Sequence, residues 1–426
     1  MRNRLIFTTI FLLFFTFSSP GQKLVNSPFA RYNLGIMEPA GSFKSLGMGG
    51  VGVALRDHSS VFISNPASYS SIDTNSFVFD FGIDYSMNFL SDGKSRYFSD
   101  DTNFDHILLG FPIAKGLGMV TGLIPFSSGY YQMSTIVTKN DPGYDPVTGE
   151  FSVFHTGEGG LTTFFAGTGV NIHRNLSAGV NMNVLFGKIT RDNRFIFNDY
   201  ENALHNNSTE MLQVSGINFD FGIQYFSPVR EDFYFNAGLS VTTGKKYRST
   251  YENFSYLYSA YSTVDTLIFT SSGNEKTQMP LIYRAGLAFG KKNKFVIGAD
   301  FVAANWSKGR IPGYEGYLAD TRSLLIGTEY IPDKYSNFNI ARRFEYRLGG
   351  HISNSYLLFE GEKIKEIGIS AGLGVPMRRS LSRTNIFLDY TRKGNTKSEG
   401  MHAENYFTVG ISLNLYDFWF IQRKYD

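Results

Sequence analysis

Cysteine is absent from the 426 residues, which excludes a disulfide framework, a thiolate metal site and a cysteine nucleophile. Charge is scarce and nearly balanced. Asp, Glu, Lys and Arg make up 18% of the chain and the formal net charge is +3, so no electrostatic signature of nucleic-acid binding is present. Long apolar runs are missing too: beyond the N-terminus no segment holds eighteen uninterrupted apolar residues, which excludes a helical membrane span. The seven histidines are scattered without metal-ligand spacing, no His-Glu-x-x-His motif occurs, and no serine nucleophile elbow is expected. Neither an enzyme, a metal site nor a cofactor is therefore expected.

Aromatic residues and glycine are abundant: 40 Phe, 26 Tyr and 44 Gly, the composition of a β-sheet that faces lipid and carries aromatic girdles. The first residues read as an export signal. Arg2 and Arg4 precede an apolar run from Leu5 to Phe17, and Ser19-Pro-Gly21 supplies small residues for cleavage.

From about residue 75 a strict two-residue period sets in. In Phe77-Val-Phe79-Asp80-Phe81-Gly82-Ile83-Asp84-Tyr85 the odd positions are bulky and apolar, and the even positions from 80 onward are Asp, Gly and Asp. Segments 217–225, 233–241 and 407–415 repeat the pattern. One face is apolar, and the other is small and neutral-polar rather than Lys- and Glu-rich. This suits a membrane barrel with a filled lumen better than a soluble sandwich. Fourteen strands are expected, with short turns alternating with long connections. The predicted organisation is a signal peptide at 1–21, a lumenal segment at 22–74, a 14-stranded antiparallel transmembrane β-barrel at 75–416 and a periplasmic tail at 417–426. Trp419 and Phe420 serve as interfacial anchors in that tail. Thr408-x-Gly410-x-x-Leu413-x-Leu415 is similar to the C-terminal insertion signal of outer-membrane barrels.

Residues 22–74 are too few and too glycine-rich to form a domain with its own core. A barrel of this width is not closed by side chains alone, so the segment is expected to plug the lumen. It contains Lys44-x-x-Gly47-Met-Gly49-x-x-Gly52-Val-Ala54, then Asp57, then Asn65-Pro66-Ala67. This pattern ahead of fourteen strands resembles the FadL-type outer-membrane transporters of long-chain fatty acids and other hydrophobic compounds. The resemblance implies passive uptake across the outer membrane of a Gram-negative cell. It also implies a hatch built on Gly47, Gly49, Gly52, Asn65, Pro66 and Ala67, and lateral release at a kink in the third strand. Gly122 and Pro125 are the candidates for that kink, since Pro inside a strand marks an edge or a bulge. The same pattern resembles PorV-like barrels of Bacteroidota, which carry secreted proteins. A secretion-system or cargo protein is the alternative partner to a hydrophobic small molecule and outer-membrane lipid.

Strand parity turns Arg284 and Arg347 inward, where an arginine suits a carboxylate head group. The alternative for either is a salt bridge that fixes the plug to the wall, and Arg284 is placed to pair with Asp300 on the next strand. Two connections are unusually aromatic, 191–207 with Phe195 and Phe197, and 245–275 with Phe254 and Tyr258. They read either as an external capture groove or as strands that continue past the membrane.

Overall fold

Period-two segments can satisfy their backbone groups in a membrane only by closing on themselves, and these do. The computed structural model describes residues 27–418 apart from 142, 201–202, 231, 260–262, 315, 360, 378–379 and 397–401. The expected signal peptide, Trp419, Phe420 and the rest of the tail beyond 418 lie outside the described residues.

Eighteen strands form one antiparallel sheet. A two-residue strand, β1 (Ile36–Met37), is followed by β2 (Ser76–Ser91), β3 (Arg96–Ala114), β4 (Leu117–Ser128), β5 (Tyr131–Val137) and β6 (Phe151–His173). Next come β7 (Leu176–Phe197), β8 (His205–Pro228), β9 (Phe233–Thr242), β10 (Lys246–Tyr258), β11 (Thr263–Gln278) and β12 (Ile282–Lys291). The last are β13 (Phe295–Ala304), β14 (Thr321–Tyr330), β15 (Glu345–Phe359), β16 (Glu362–Pro376), β17 (Arg383–Gly394) and β18 (Ala403–Phe418). β4 with β5, β9 with β10 and β11 with β12 are interrupted single staves. The wall is therefore a fourteen-strand barrel, closed where β18 pairs with β2.

Its outer surface is a band of exposed apolar side chains such as Ile83, Leu239, Phe301, Leu348 and Ile411, alternating with buried inward residues. No described helix is long and apolar enough to cross a membrane. The band, the closed sheet and the short turns on one end have the form of an outer-membrane barrel.

The two aromatic connections are strands. Phe195 and Phe197 end β7, and Phe254 and Tyr258 belong to β10, so the reading in which strands continue past the membrane describes these segments. β3 also begins earlier than the pattern suggested. Residues 99–103 are Ser, Asp, Asp, Thr and Asn, with no apolar face for alternation to reveal, yet the strand pairs with β2 from Arg96 onward.

Residues 27–72 lie against the inner wall. A short helix, α1 (Phe43–Leu46), and a 3-10 helix, Pro66–Ser71, are the principal regular elements of the segment. Phe43, Met48, Val51 and Tyr69 are essentially inaccessible to solvent.

Candidate functional site

Asn65 explains why the Asn-Pro-Ala turn stands where it does. Its Oδ1 accepts from Ala67 N at 3.1 Å and caps the 3-10 helix, where Pro66 takes a first-turn position that needs no N–H. Its Nδ2 donates to Val53 O within the segment (3.0 Å) and to Ile223 O (3.1 Å) and Leu239 O (3.3 Å) of the wall. One side chain thus holds two parts of the segment and two barrel strands.

The glycine-rich run makes the closest approach. Gly49 and Gly50 have φ of +71° and +87°, a left-handed conformation that side chains disfavour, and they turn the chain after α1 back along the wall. The wall answers with glycines of its own. Gly118, Gly169, Gly179 and Gly222 face one another across β4, β6, β7 and β8. Gly298, Gly327 and Gly349 do the same across β13, β14 and β15. A methyl group on Gly179 would lie 2.6 Å from Ala67 N, and one on Gly298 would lie 2.7 Å from Val51 Cγ1. Backbone therefore rests on backbone around much of the barrel.

Polar groups complete the attachment. Asp300 Oδ2 accepts from Gly52 N (2.7 Å) and Val53 N (2.8 Å). Gln224 donates to Val53 O at 2.8 Å and Asn236 to Ala54 O at 3.1 Å. The Arg56 guanidinium reaches Ser177 Oγ (2.7 Å), Gln224 Oε1 (2.9 Å) and the face of Phe226. Six charges then close a buried cluster. Lys44 pairs with Asp57 and lies 3.5 Å from Glu329, and Arg347 pairs with Glu329 (2.8 Å) and Glu345. Arg383 pairs with Glu345 (2.7 Å) and reaches Ser59 Oγ. Burial alone would raise the Asp57 carboxyl, but Lys44, the hydrogen bond from His58 and Arg383 hold it well below the ordinary range.

Arg347 is accordingly engaged in joining the segment to the wall, and Asn385 takes its remaining Nη1 donor at 2.8 Å. Arg284 does not pair with Asp300. The register sets Arg284 opposite Val302 and Asp300 opposite Gly286, and Arg284 donates instead to Thr242 Oγ1 at 2.7 Å. The run Gly368-Ile-Ser370-Ala-Gly372 does have the spacing of a nucleophile elbow, contrary to expectation. It lies inside β16 rather than at a strand-to-helix turn, and Ser370 Oγ accepts from Gly49 N at 2.9 Å.

Nearer the end with the long connections, the first described residues fold over a second layer. Phe29 and Leu34 pack with Trp306, Ile311, Tyr356, Leu357 and Ile364. Tyr356 Oη donates to Gly35 O at 2.6 Å and accepts from Leu34 N. Between the layers lies a cavity of about 530 Å³. Phe43, Leu46 and Val53 line it from below, Phe29 and Trp306 from above, and Arg284 and Asp300 from the wall.

Its flank is the seam at Pro125. The β3–β4 ladder runs only from Ala114↔Leu117 to Ile107↔Leu123. Beyond it β4 bulges at Pro125 against β6, and Ser127 and Ser128 pair with Met37 and Ile36 of β1 on the edge β3 would have taken. Gly122 has Ile107, Leu108 and Phe165 packed about it where the ladder ends. Ile124, Pro125 and Phe126 line the cavity on one side of the break, and Asp101, Asn103 and Asp105 on the other. Asp105 comes inward through a bulge between Gly82 and Ile83, which turns both Asp105 and His106 to the lumen. Glu38, just after β1, has its carboxyl pushed up to about 7 by burial; Lys393 opposes the rise, and Asp105 and Asp101 add to it. Sequence reasoning missed Glu38 and Arg56 as structural groups, and it gave Asp300 the wrong partner, Arg284 in place of Gly52 N and Val53 N. The one signal for the first two is position, since Glu38 and Arg56 are among the few charges of a plug made mostly of apolar and small residues.

A separate hollow of about 730 Å³ is open to solvent at the far end and is lined by Phe197, Tyr200 and Leu204. Phe195 ends the same strand, and Phe254 packs on Phe269 across β10 and β11.

The fold is shared with several solved structures. A Pseudomonas aeruginosa FadL homologue is 12% identical, with 91% of this chain and 100% of that one covered and a TM-score of 0.58. The toluene transporter TodX of P. putida is 14% identical over 90% and 99%, with a TM-score of 0.57. The Ralstonia pickettii toluene transporter TbuX is 12% identical over 88% and 99%, with a TM-score of 0.54. At these identities the likeness is one of fold. No curated protein matches the sequence. The family model described as BamG matches residues 1–426, and the chain belongs to the BamG family.

Proposed function

We propose that this protein is an outer-membrane channel that binds a hydrophobic small molecule between its two lumenal layers and exchanges it laterally at the Pro125 seam. The observation that carries this is the parting of β4 from β3 after Leu123, which sets a cavity of about 530 Å³ beside a break in the wall. Residues 41–72 act as the hatch, with Gly47, Gly49, Gly52, Asn65, Pro66 and Ala67 as its fixed core. The short-turn end is periplasmic and the long-connection end external. Capture begins in the hollow beside Phe195 and Phe197, and movement is passive, driven by binding. The shared fold supports this reading, since TodX and TbuX are toluene transporters. The test is entry of a fluorescent naphthylamine probe into vesicles holding the full-length protein. Pro125→Ala, which removes the need for the bulge, should slow entry several-fold. Equal entry with and without protein would end the proposal.

One observation supports a second reading, a barrel that holds a partner protein as PorV-like barrels do. β10 continues the wall outward on β8, and among the described residues β11 forms a ladder only with β10. Its Leu267, Ile268 and Phe269 are consecutive and exposed at 50%, 49% and 69%, a profile suited to strand addition. Copurification of a surface or secretion protein that is lost in Leu267→Ser/Phe269→Ser, with probe entry unchanged, would favour it.

A further inference from the structure

The small-molecule reading above leaves the ligand's head group open, and the charge of the cavity addresses it. Glu38, Asp84, Asp101, Asp105, Glu366 and Asp389 all line the cavity, and Asp300 does as well. Against these carboxylates stand, among the described residues, only two lining cations, Arg284 and Lys393. Both are engaged: Arg284 with Thr242, which itself donates to Asp220 at 2.6 Å, and Lys393 with Glu366 at 3.9 Å. An incoming carboxylate would meet many like charges and only these two cations, of which Lys393 is already in an ion pair.

A second, independent feature points the same way. Asp300 is 1% exposed, and its Oδ2 takes the two hatch N–H groups while its Oδ1 has no hydrogen-bond partner among the described residues. That carboxylate is thus short of donors, and as a buried acidic group it adds to the negative character of the wall. The apolar part of the ligand has its own surface beside Phe29, Phe126, Ile282 and Trp306. Four of the carboxylates gather toward the seam: Asp84 on β2, Asp101 and the bulged Asp105 on β3, and Glu38 just after β1.

We propose that the cavity binds a hydrophobic molecule with a cationic head group, of the alkylammonium class, and discriminates against fatty-acid carboxylates. The inference rests on the channel reading, and the test separates the two. The probes are dodecylamine, dodecanol and dodecanoate, which share a chain and differ in head charge. Binding is measured by native mass spectrometry and by probe displacement, on full-length protein in phosphatidylcholine nanodiscs at pH 8. The amine should bind at least about tenfold more tightly than dodecanoate, with dodecanol between them, because charge-assisted hydrogen bonds outweigh neutral ones. Asp84→Asn and Asp101→Asn should each shrink the gap between amine and acid and leave dodecanol unchanged. The wild-type gap should also narrow with added salt, a readout that needs no variant. Dodecanoate binding as tightly as the amine overturns the charge inference and keeps the channel. No binding by any of the three overturns both.

Discussion

Gly179→Ala probes the backbone contact on which the hatch rests. The added methyl would lie 2.6 Å from Ala67 N and 2.5 Å from Pro66 O, whereas non-bonded carbon contacts settle at roughly 3.5 Å or more. The 3-10 helix must therefore retreat by about 1 Å. Gly169 and Gly222, directly opposite on the flanking strands, hold it there with the same closeness. Overpacking of this kind costs about 1–3 kcal/mol. Lifting the helix instead strips Asn65 of its wall bonds to Ile223 O and Leu239 O, at about 1 kcal/mol each. Either route gives about 2 kcal/mol, or roughly a 30-fold larger population with the hatch undocked. The barrel strand itself should gain, because glycine weakens a strand interior, so heat stability of the wall is expected to hold or rise. The assay is trypsin cleavage after Lys44 and Arg56, followed by mass spectrometry, under conditions where cleavage tracks the open population. Gly273→Ala is the control, since nothing lies within 4 Å of a methyl at that position. If Gly179→Ala is cut no faster than Gly273→Ala, the idea that wall glycines seat the hatch is refuted.

Asp300→Ala removes the acceptor shared by Gly52 N and Val53 N; it should cost about 2–3 kcal/mol and raise hydrogen exchange at residues 50–55 without altering the far ends of the strands. Acid should free the hatch: the Asp57 carboxyl sits below its unfolded value, so its stabilisation is present above about pH 4 and is lost as pH falls further. Hydrogen exchange of residues 41–60 between pH 7 and pH 3 reads this, and Asp57→Asn should flatten the profile. Glu38 has the opposite sign. Its carboxyl is raised to about 7, so it is neutral below that pH and charged above it, and affinity for the alkylammonium probe should climb from pH 6 to pH 8 in the wild type and climb less steeply in Glu38→Gln, where the other lining carboxylates remain. Breaking the buried cluster with Arg347→Met should leave Glu329 and Glu345 short of a partner and cost about 3–5 kcal/mol, measured as a lower urea midpoint for barrel unfolding.

Particular residues show how far the pattern carries. The alternation in 217–225 is local, so parity alone turned Asp220 and Gly222 inward and Phe221 and Ile223 outward, as the structure has them. Pro125 was legible for a similar reason: a residue without an N–H cannot continue a ladder, and the ladder stops beside it. Arg284 and Asp300 were not. Adjacent strands made the pair plausible, but a register offset of two residues separates them diagonally, and such diagonal neighbours lie about 7–8 Å apart. The first part of β3 was missed because its polar run at 99–103 carries no period.

Taken alone, the sequence determined the barrel, its fourteen staves, the inward and outward faces and the tight Asn65-Pro66-Ala67 turn. Each of these follows from side-chain period or backbone restriction over a few residues. The tertiary structure decided what shares the lumen. Glu38, Asp84, Asp105 and Asp389 come together only because a closed circle of strands brings distant segments around one cavity. It likewise decided which wall glycines touch the hatch, since that depends on the height at which residues 47–69 settle inside the barrel. Inward direction is written in the two-residue period, but height and neighbours are set by register around the ring, which no single segment encodes.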